Sequence, residues 1–258
     1  MKIFKKINFS LFFVFIFFSC RTVPYTGRKQ LILFPLETER ELGRESFLEI
    51  SKTEKFSENQ EYNELVKKVG MKIISEGGIG IKENWEFRVI ENDKVINAFA
   101  LPGGKVCVYT GLLKLIESED ELACVLGHEI AHVVARHGGE RMSQLLLAEL
   151  GGITLDMALK KKRSQTIEMA KVAYGVGVQV GVLLPFSREQ EEESDYMGLI
   201  FMTKAGFDPE KALNFWEKME KESKGKIPEF LSTHPSHNTR IKNIKKWIPE
   251  IKNKYGKK

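Results

Sequence analysis

The chain has 258 residues, 42% of them hydrophobic and 29% charged, the balance of one globular core with at most a small appendage. The formal net charge is +5, and Lys2, Lys5 and Lys6 of a basic leader account for three of those charges. The remaining +2 is too mild to argue for nucleic acid, and the short KKKR run at 160–163 reads as a solvated helix end.

Residues 1–20 read MKIFKKINFSLFFVFIFFSC. The apolar run at 11–18 is too short to span a bilayer as a helix and fits the apolar region of a signal peptide. Ser19 followed by Cys20 resembles a bacterial lipoprotein processing site, with phenylalanines at 17 and 18 where that site usually has leucine and a small residue. The expectation is a lipoprotein signal peptide over 1–19 and a lipidated Cys20. Acyl chains contribute about 0.8 kcal/mol per buried CH₂, so several chains anchor stably. An ordinary secretory signal, or an uncleaved anchor, with an incidental Cys20 is the competing reading. Residues 20–36 carry two prolines and a Thr-Gly turn signal, and read as a lipid-anchored tether reaching at most ~55 Å.

Residues 37–50 and 61–75 have helical apolar spacing. Residues 85–89 alternate as a strand, 95–100 (VINAFA) form a second, 101–104 (LPGG) a turn, and 105–109 a third. A small antiparallel sheet thus precedes the next helix. Asn97, Ala98, Phe99 and Ala100 are candidates for an edge strand that binds extended substrate backbone; a plain hairpin packed on the helix is the alternative. Cys107 and Cys124 can pair in an oxidising compartment or remain as buried thiols.

The stretch 118–139, SEDELACVLGHEIAHVVARHGG, carries the chemistry. Ser118 and Glu121 form a capping-box signal, apolar residues supply the face, and Gly138-Gly139 predict the stop. His128 and His132 are i and i+4, so both imidazoles lie on one helix face and can reach one metal ion. Glu129 is placed to act as general base. This is the zinc-protease pattern. A third ligand must come from elsewhere. His137 lies nine positions after His128, on the opposite helix face, and reads as a supporting residue with the Glu140-Arg141 segment as hydrogen-bond partner.

Residues 140–160 and 165–184 look helical, the second apolar and glycine-rich, buried or touching a membrane rather than spanning it. From Pro185 the sequence PFSREQEEESDYMG opens another helix capped by Ser187. Glu191 and Asp195 share a face, which would let one bind the metal and the other orient a ligand histidine. Glu189 and Glu193 have the same spacing, and composition does not choose between the pairs.

Four segments, VPYTGRKQL, NAFALPGGKVCVYTGLL, GHEIAHVVARHGGERMS and SREQEEESDYMGL, resemble the HtpX/BepA/LoiP-type zinc metallopeptidases, relatives of the CAAX prenyl protease and the mitochondrial Oma protease. The resemblance covers nearly the whole mature chain. It implies an α+β, mainly helical fold, a zincin-like domain over 37–258, and one Zn2+ per chain. In the family's S-R-x-x-E-x-E-A-D-x-x-G pattern the metal-binding glutamate falls on Glu191 and the aspartate on Asp195, with Ser194 in place of the usual alanine. STHPSHNTRI resembles the family's S-T-H-P-x-x-x-x-R, putting His234 and Arg240 near the metal, where they are expected to contact zinc or stabilise an oxyanion. The implied function is proteolysis of misfolded or misassembled envelope proteins by a periplasm-facing, lipid-anchored enzyme, on the outer rather than the inner membrane. The implied alternative is an outer-membrane assembly factor whose zinc site His234 holds latent. Neither the several membrane helices of HtpX-type members nor the helical repeats of BepA-type members are visible, so the chain looks closest to a stand-alone member.

Overall fold

The computed structural model describes residues 20–80, 82–150, 187–222, 228–234 and 239–256, without the side chains of 148–150. The expected signal segment and the expected apolar helix at 165–184 lie outside the described residues. Among those described, no helix is long and apolar enough to cross a membrane.

Residues 20–36 do not form a free tether. β1 (Cys20–Thr22) pairs antiparallel with β2 (Lys29–Leu31), and the turn between them uses left-handed backbone at Tyr25 (φ 65°) and Gly27 (φ 74°). Val23 and Ile32 are buried, so the hairpin is held to the body by its own apolar side chains. Helix α1 (Leu36–Thr53) and helix α2 (Gln60–Glu76) follow, the second capped by the Asn59 side chain.

Strands β3 (Glu86–Ile90), β4 (Ala98–Leu101) and β5 (Lys105–Tyr109) make a sheet of order β3-β5-β4. β4 and β5 form the expected antiparallel hairpin around Gly103 and Gly104, both at positive φ. β3 runs parallel to β5, so the sheet is mixed rather than antiparallel. The connection after β3 crosses to the far side of β5, which sequence adjacency does not reveal. The two-residue period of β5 sends Val106 and Val108 into the main core and Cys107 and Tyr109 into a smaller core under α1. Cys124 belongs to the main core, so the two thiols lie on opposite sides of the sheet, buried and free.

After a single turn, α3 (Thr110–Leu113), comes α4 (Glu119–Ala135), every residue of which is buried from Glu121 onward. Ser118 accepts from the Glu121 amide, and the Glu121 carboxylate reaches back to the Glu117 amide, one residue beyond the box geometry. Around α4 pack α6 (Arg188–Lys204), α7 (Lys211–Glu222), α2 and β4. The short α8 (Glu229–Thr233) and the long α9 (Arg240–Tyr255) complete the body. The fold class is the expected one, mainly helical α+β.

Candidate metal centre

The stop of α4 differs from expectation. The helix ends at Ala135 because Arg136 takes the left-handed conformation (φ 58°, ψ 35°), and Gly138 and Gly139 lie inside the next helix, α5 (His137–Leu150). A left-handed non-glycine residue costs about 1–2 kcal/mol. The Arg136 side chain is fixed in compensation, with Nη2 2.6 Å from Glu39 Oε1 and 3.0 Å from the Phe34 carbonyl oxygen. Gly139 is needed for another reason: a Cβ there would fall 2.2 Å from the Glu39 carboxylate.

Helix α6 opens with a full capping box between Ser187 and Gln190 and crosses α4 at a pair of glycines. A Cβ on Gly198 would sit 2.9 Å from the His128 nitrogen, and one on Gly127 would sit 2.9 Å from the Gly198 carbonyl oxygen. Only glycine permits so close a crossing. Glu191, Asp195 and Gly198 follow helical spacing on one face of α6, so the crossing delivers both carboxylates to His128.

The result is a buried cluster of His128, His132, Glu191 and His234 whose ligand atoms all lie within 4.8 Å of one another. His128 Nε2 and His132 Nε2 are 3.1 Å apart, and Glu191 lies 3.5 Å from the first and 3.4 Å from the second. His234 Nδ1 is 3.0 Å from Glu191 Oε1 and 3.2 Å from His128 Nε2. Three imidazole nitrogens and one carboxylate converging in a buried pocket are a donor set that suits Zn2+. The surroundings favour positive charge there. Burial pulls the His128 imidazole down, but Asp195 and Glu191 hold it up at about 10. The Glu191 carboxylate is likewise disfavoured by burial, yet His234, His128 and His132 bring it well below the usual range.

Glu129 faces the same cavity from the other side of His234, whose Nε2 lies 3.4 Å from Glu129 Oε1. That separation is within ion-pair range, but it is not aligned as a hydrogen bond, and Glu129 Oε1 has no hydrogen-bond partner among the described residues. Burial raises the Glu129 carboxyl pKa against the opposing pull of His234 and His128.

Each ligand histidine is oriented through its other nitrogen. His128 Nδ1 bonds Asp195 Oδ1 at 2.9 Å, and Arg240 donates from Nε to Asp195 Oδ2 at 2.6 Å and from Nη2 to Glu191 Oε2 at 2.5 Å. The guanidinium also lies 3.9 Å from the Trp216 ring centroid and reaches the His234 carbonyl. Arg240, expected as an oxyanion donor, has its guanidinium turned toward the two carboxylates instead. His132 Nδ1 is 2.9 Å from His137 Nδ1, and His137 Nε2 is 3.2 Å from Glu193. His137 therefore contacts His132 and Glu193, where a hydrogen bond to the Glu140-Arg141 segment was expected. Its face argument assumed one continuous helix, and the left-handed Arg136 breaks it. Of the competing acids, Glu193 serves His137 and Glu189 is exposed.

Asn97, Ala98, Phe99 and Ala100 lie together at the edge of the sheet beside α4. β4 alternates, and since Asn97 turns its carbonyl to β5, Ala98 and Ala100 turn their amides outward. The Ala98 amide has an internal partner, the Asn97 side chain. Phe230 of α8 donates to the Ile96 carbonyl at 3.0 Å, so α8 lies at the start of that edge. Cys20, the expected lipidation site, is exposed at the start of β1. Gly127, Thr26 and Arg28 escaped sequence reasoning, while Glu193 entered it as one of a competing pair of acids and Gly198 as the closing glycine of the family pattern.

Fold and site together define a zinc metallopeptidase. Residues 60–248 match Peptidase family M48, and the chain belongs to it. It is 35% identical over 246 residues to "Mitochondrial metalloendopeptidase OMA1" of Schizosaccharomyces pombe, covering 92% of this chain and 69% of that one. It is 34% identical over 256 residues to "Metalloendopeptidase OMA1, mitochondrial" of Homo sapiens, covering 93% and 48%. Against "Beta-barrel assembly-enhancing protease" of Escherichia coli it is 31% identical over 185 residues, covering 68% and 37%. Beyond the first of these, the chain spans about half or less of the length of the curated relatives it matches.

Proposed function

We propose that the chain is a membrane-anchored zinc endopeptidase that hydrolyses extended segments of misfolded or misassembled envelope proteins. The observation that carries this reading is the convergence of His128, His132 and Glu191 with Glu129 on one turn of α4. Zinc held there would act as a Lewis acid toward water and the scissile carbonyl. Glu129 takes the proton from water and returns it to the leaving amine. Asp195, His137 and Arg240 hold the ligands in register, and substrate backbone aligns with Asn97, Ala98, Phe99 and Ala100.

A specific observation favours a second layer, in which the described state is latent. His234 Nδ1 lies 3.0 Å from Glu191 Oε1 and would serve as a fourth ligand where a catalytic zinc site keeps one position open, and its Nε2 stands against the base. The outward amide of Ala98 is also taken, by the Asn97 side chain. Substrate access then requires α8 and His234 to withdraw, which suits a protein that also assists outer-membrane assembly partners; the Escherichia coli relative's name, "Beta-barrel assembly-enhancing protease", supports an assembly role. Casein cleavage by protein of known zinc content, with and without chelator, tests both layers. Glu129→Gln is expected to keep its zinc and lose cleavage; unchanged turnover removes the base assignment. His234→Ala is expected to raise cleavage severalfold, and a fall would assign His234 an assisting role in catalysis.

The anchor rests on Cys20, exposed at the chain's entry to the folded body, and places the enzyme on the periplasmic side of a bacterial envelope membrane, the outer one preferred. Cys20→Ala should move the protein from the membrane to the soluble fraction and abolish labelling by a fatty-acid probe. Retention on the membrane would refute lipid anchoring at that residue.

A further inference from the structure

The turn motif of the N-terminal hairpin points at the metal centre. Arg28 donates from Nε to Glu193 Oε2 at 2.6 Å and forks onto Glu140, with Nη1 to Oε1 and Nη2 to Oε2, both at 2.8 Å. Thr26 Oγ1 donates to the other Glu193 oxygen. Gln190 Nε2 donates to Glu140 Oε2 at 2.7 Å, and Gln30 Nε2 donates to the Ala135 carbonyl at 2.6 Å, the last residue of the metal helix. The hairpin therefore grips α4, α5 and α6 at once. Its backbone is shaped for this: the turn from Val23 to Arg28 closes through the Val23 amide on the Arg28 carbonyl at 2.9 Å, with Gly27 at positive φ.

Glu193 is in turn the acceptor for His137 Nε2, and His137 Nδ1 meets His132 Nδ1. The tautomers are fixed by this chain of contacts. His132 must leave Nε2 free for the cation, so its proton sits on Nδ1 and is donated to His137 Nδ1. His137 then carries its proton on Nε2 and donates it to Glu193. Removing charge or position from Glu193 lets the His137 ring turn, and with it the donor that holds His132.

We infer that Thr26 and Arg28 are positioning residues for the metal centre: the N-terminal hairpin fixes Glu193, Glu193 fixes His137, and His137 fixes His132 in the orientation that retains zinc. The inference rests on the zinc-site reading above. It gives the hairpin a role that a tether would not have, since the segment leading from residue 20 is two side chains removed from a metal ligand.

The test is the rate at which the zinc-loaded chain surrenders its metal to a chromophoric chelator, well below the unfolding temperature. Arg28→Gln and the milder Thr26→Val should release zinc about tenfold faster, within the range that partners of metal ligands command. Arg28→Lys, which cannot fork onto Glu140 while holding Glu193, should fall between. Tyr25→Phe is the control: it removes the 3.1 Å bond from the Tyr25 hydroxyl to the Gly78 carbonyl and the 3.2 Å bond that the hydroxyl accepts from Lys204 at the far end of α6, leaves the Glu193 contacts intact, and should release zinc at the wild-type rate. Wild-type release from both Arg28→Gln and Thr26→Val overturns the inference, as does accelerated release from Tyr25→Phe, which would make the hairpin a general clamp. A wild-type chain that binds no zinc would remove the zinc-site reading as well, so the two failures are distinguishable.

Discussion

The two histidines of α4 are supported by unlike means. His128 hands its outer nitrogen directly to a carboxylate, Asp195, which Arg240 holds from a helix near the C-terminus. His132 hands its outer nitrogen to another imidazole, and the carboxylate and arginine stand one step further out, as Glu193 and Arg28. Both relays end in a guanidinium from a distant part of the sequence, but only one arginine touches a ligand, since Arg240 also grips Glu191. The difference teaches that the first arginine serves the charge of the site and the second its geometry. Arg240 is nearly inaccessible, with its side chain 2% exposed, whereas that of Arg28 is 15% exposed.

The largest effect expected from this contrast is on stability. Arg240→Met removes the guanidinium that Glu191 and Asp195 share and leaves His128 as the cation between two buried acids, and breaking a buried pair in this way costs about 3–5 kcal/mol. In urea denaturation the metal-free chain should show that loss in full, and the zinc-loaded chain a smaller one, because a cation beside Glu191 replaces part of the missing charge. Arg28→Met should cost less in the metal-free chain, since Glu140 and Glu193 keep Gln190, Thr26 and His137 as donors. Equal losses from the two substitutions would break the comparison.

That asymmetry also separates what could be read from the sequence from what could not. His128, Glu129 and His132 were legible because their geometry is local: a four-residue spacing on a helix fixes which groups share a face. Glu191 needed the family resemblance, since an acidic helix start looks the same whether it serves a dipole or a metal. The crossing of Gly127 on Gly198 is a property of two helices, and neither glycine declares it alone. The stop at Arg136 was hidden because the left-handed conformation there is held by Glu39, 97 residues away, rather than by a residue type that prefers it. Arg28 was the least accessible, with 165 positions between it and Glu193 in a stretch whose prolines and turn signal read as linker. The parallel pairing of β3 belongs with these, being set by a crossover and not by any strand pattern.

The smallest expected effect refines the His132 branch. Ser194 Oγ lies 3.3 Å from His137 Nδ1, the nitrogen that also receives His132 at 2.9 Å. Two donors cannot both hold one lone pair well, and the shorter contact has the better claim. Ser194→Ala should therefore cost about 1 kcal/mol or less and leave the rate of zinc release within twofold of wild type. A release rate raised as far as that of Arg28→Gln would mean that the hydroxyl, not His132, sets the His137 ring. The relay from the hairpin would then end at Ser194, and the His132 branch would have no orienting partner comparable to Asp195.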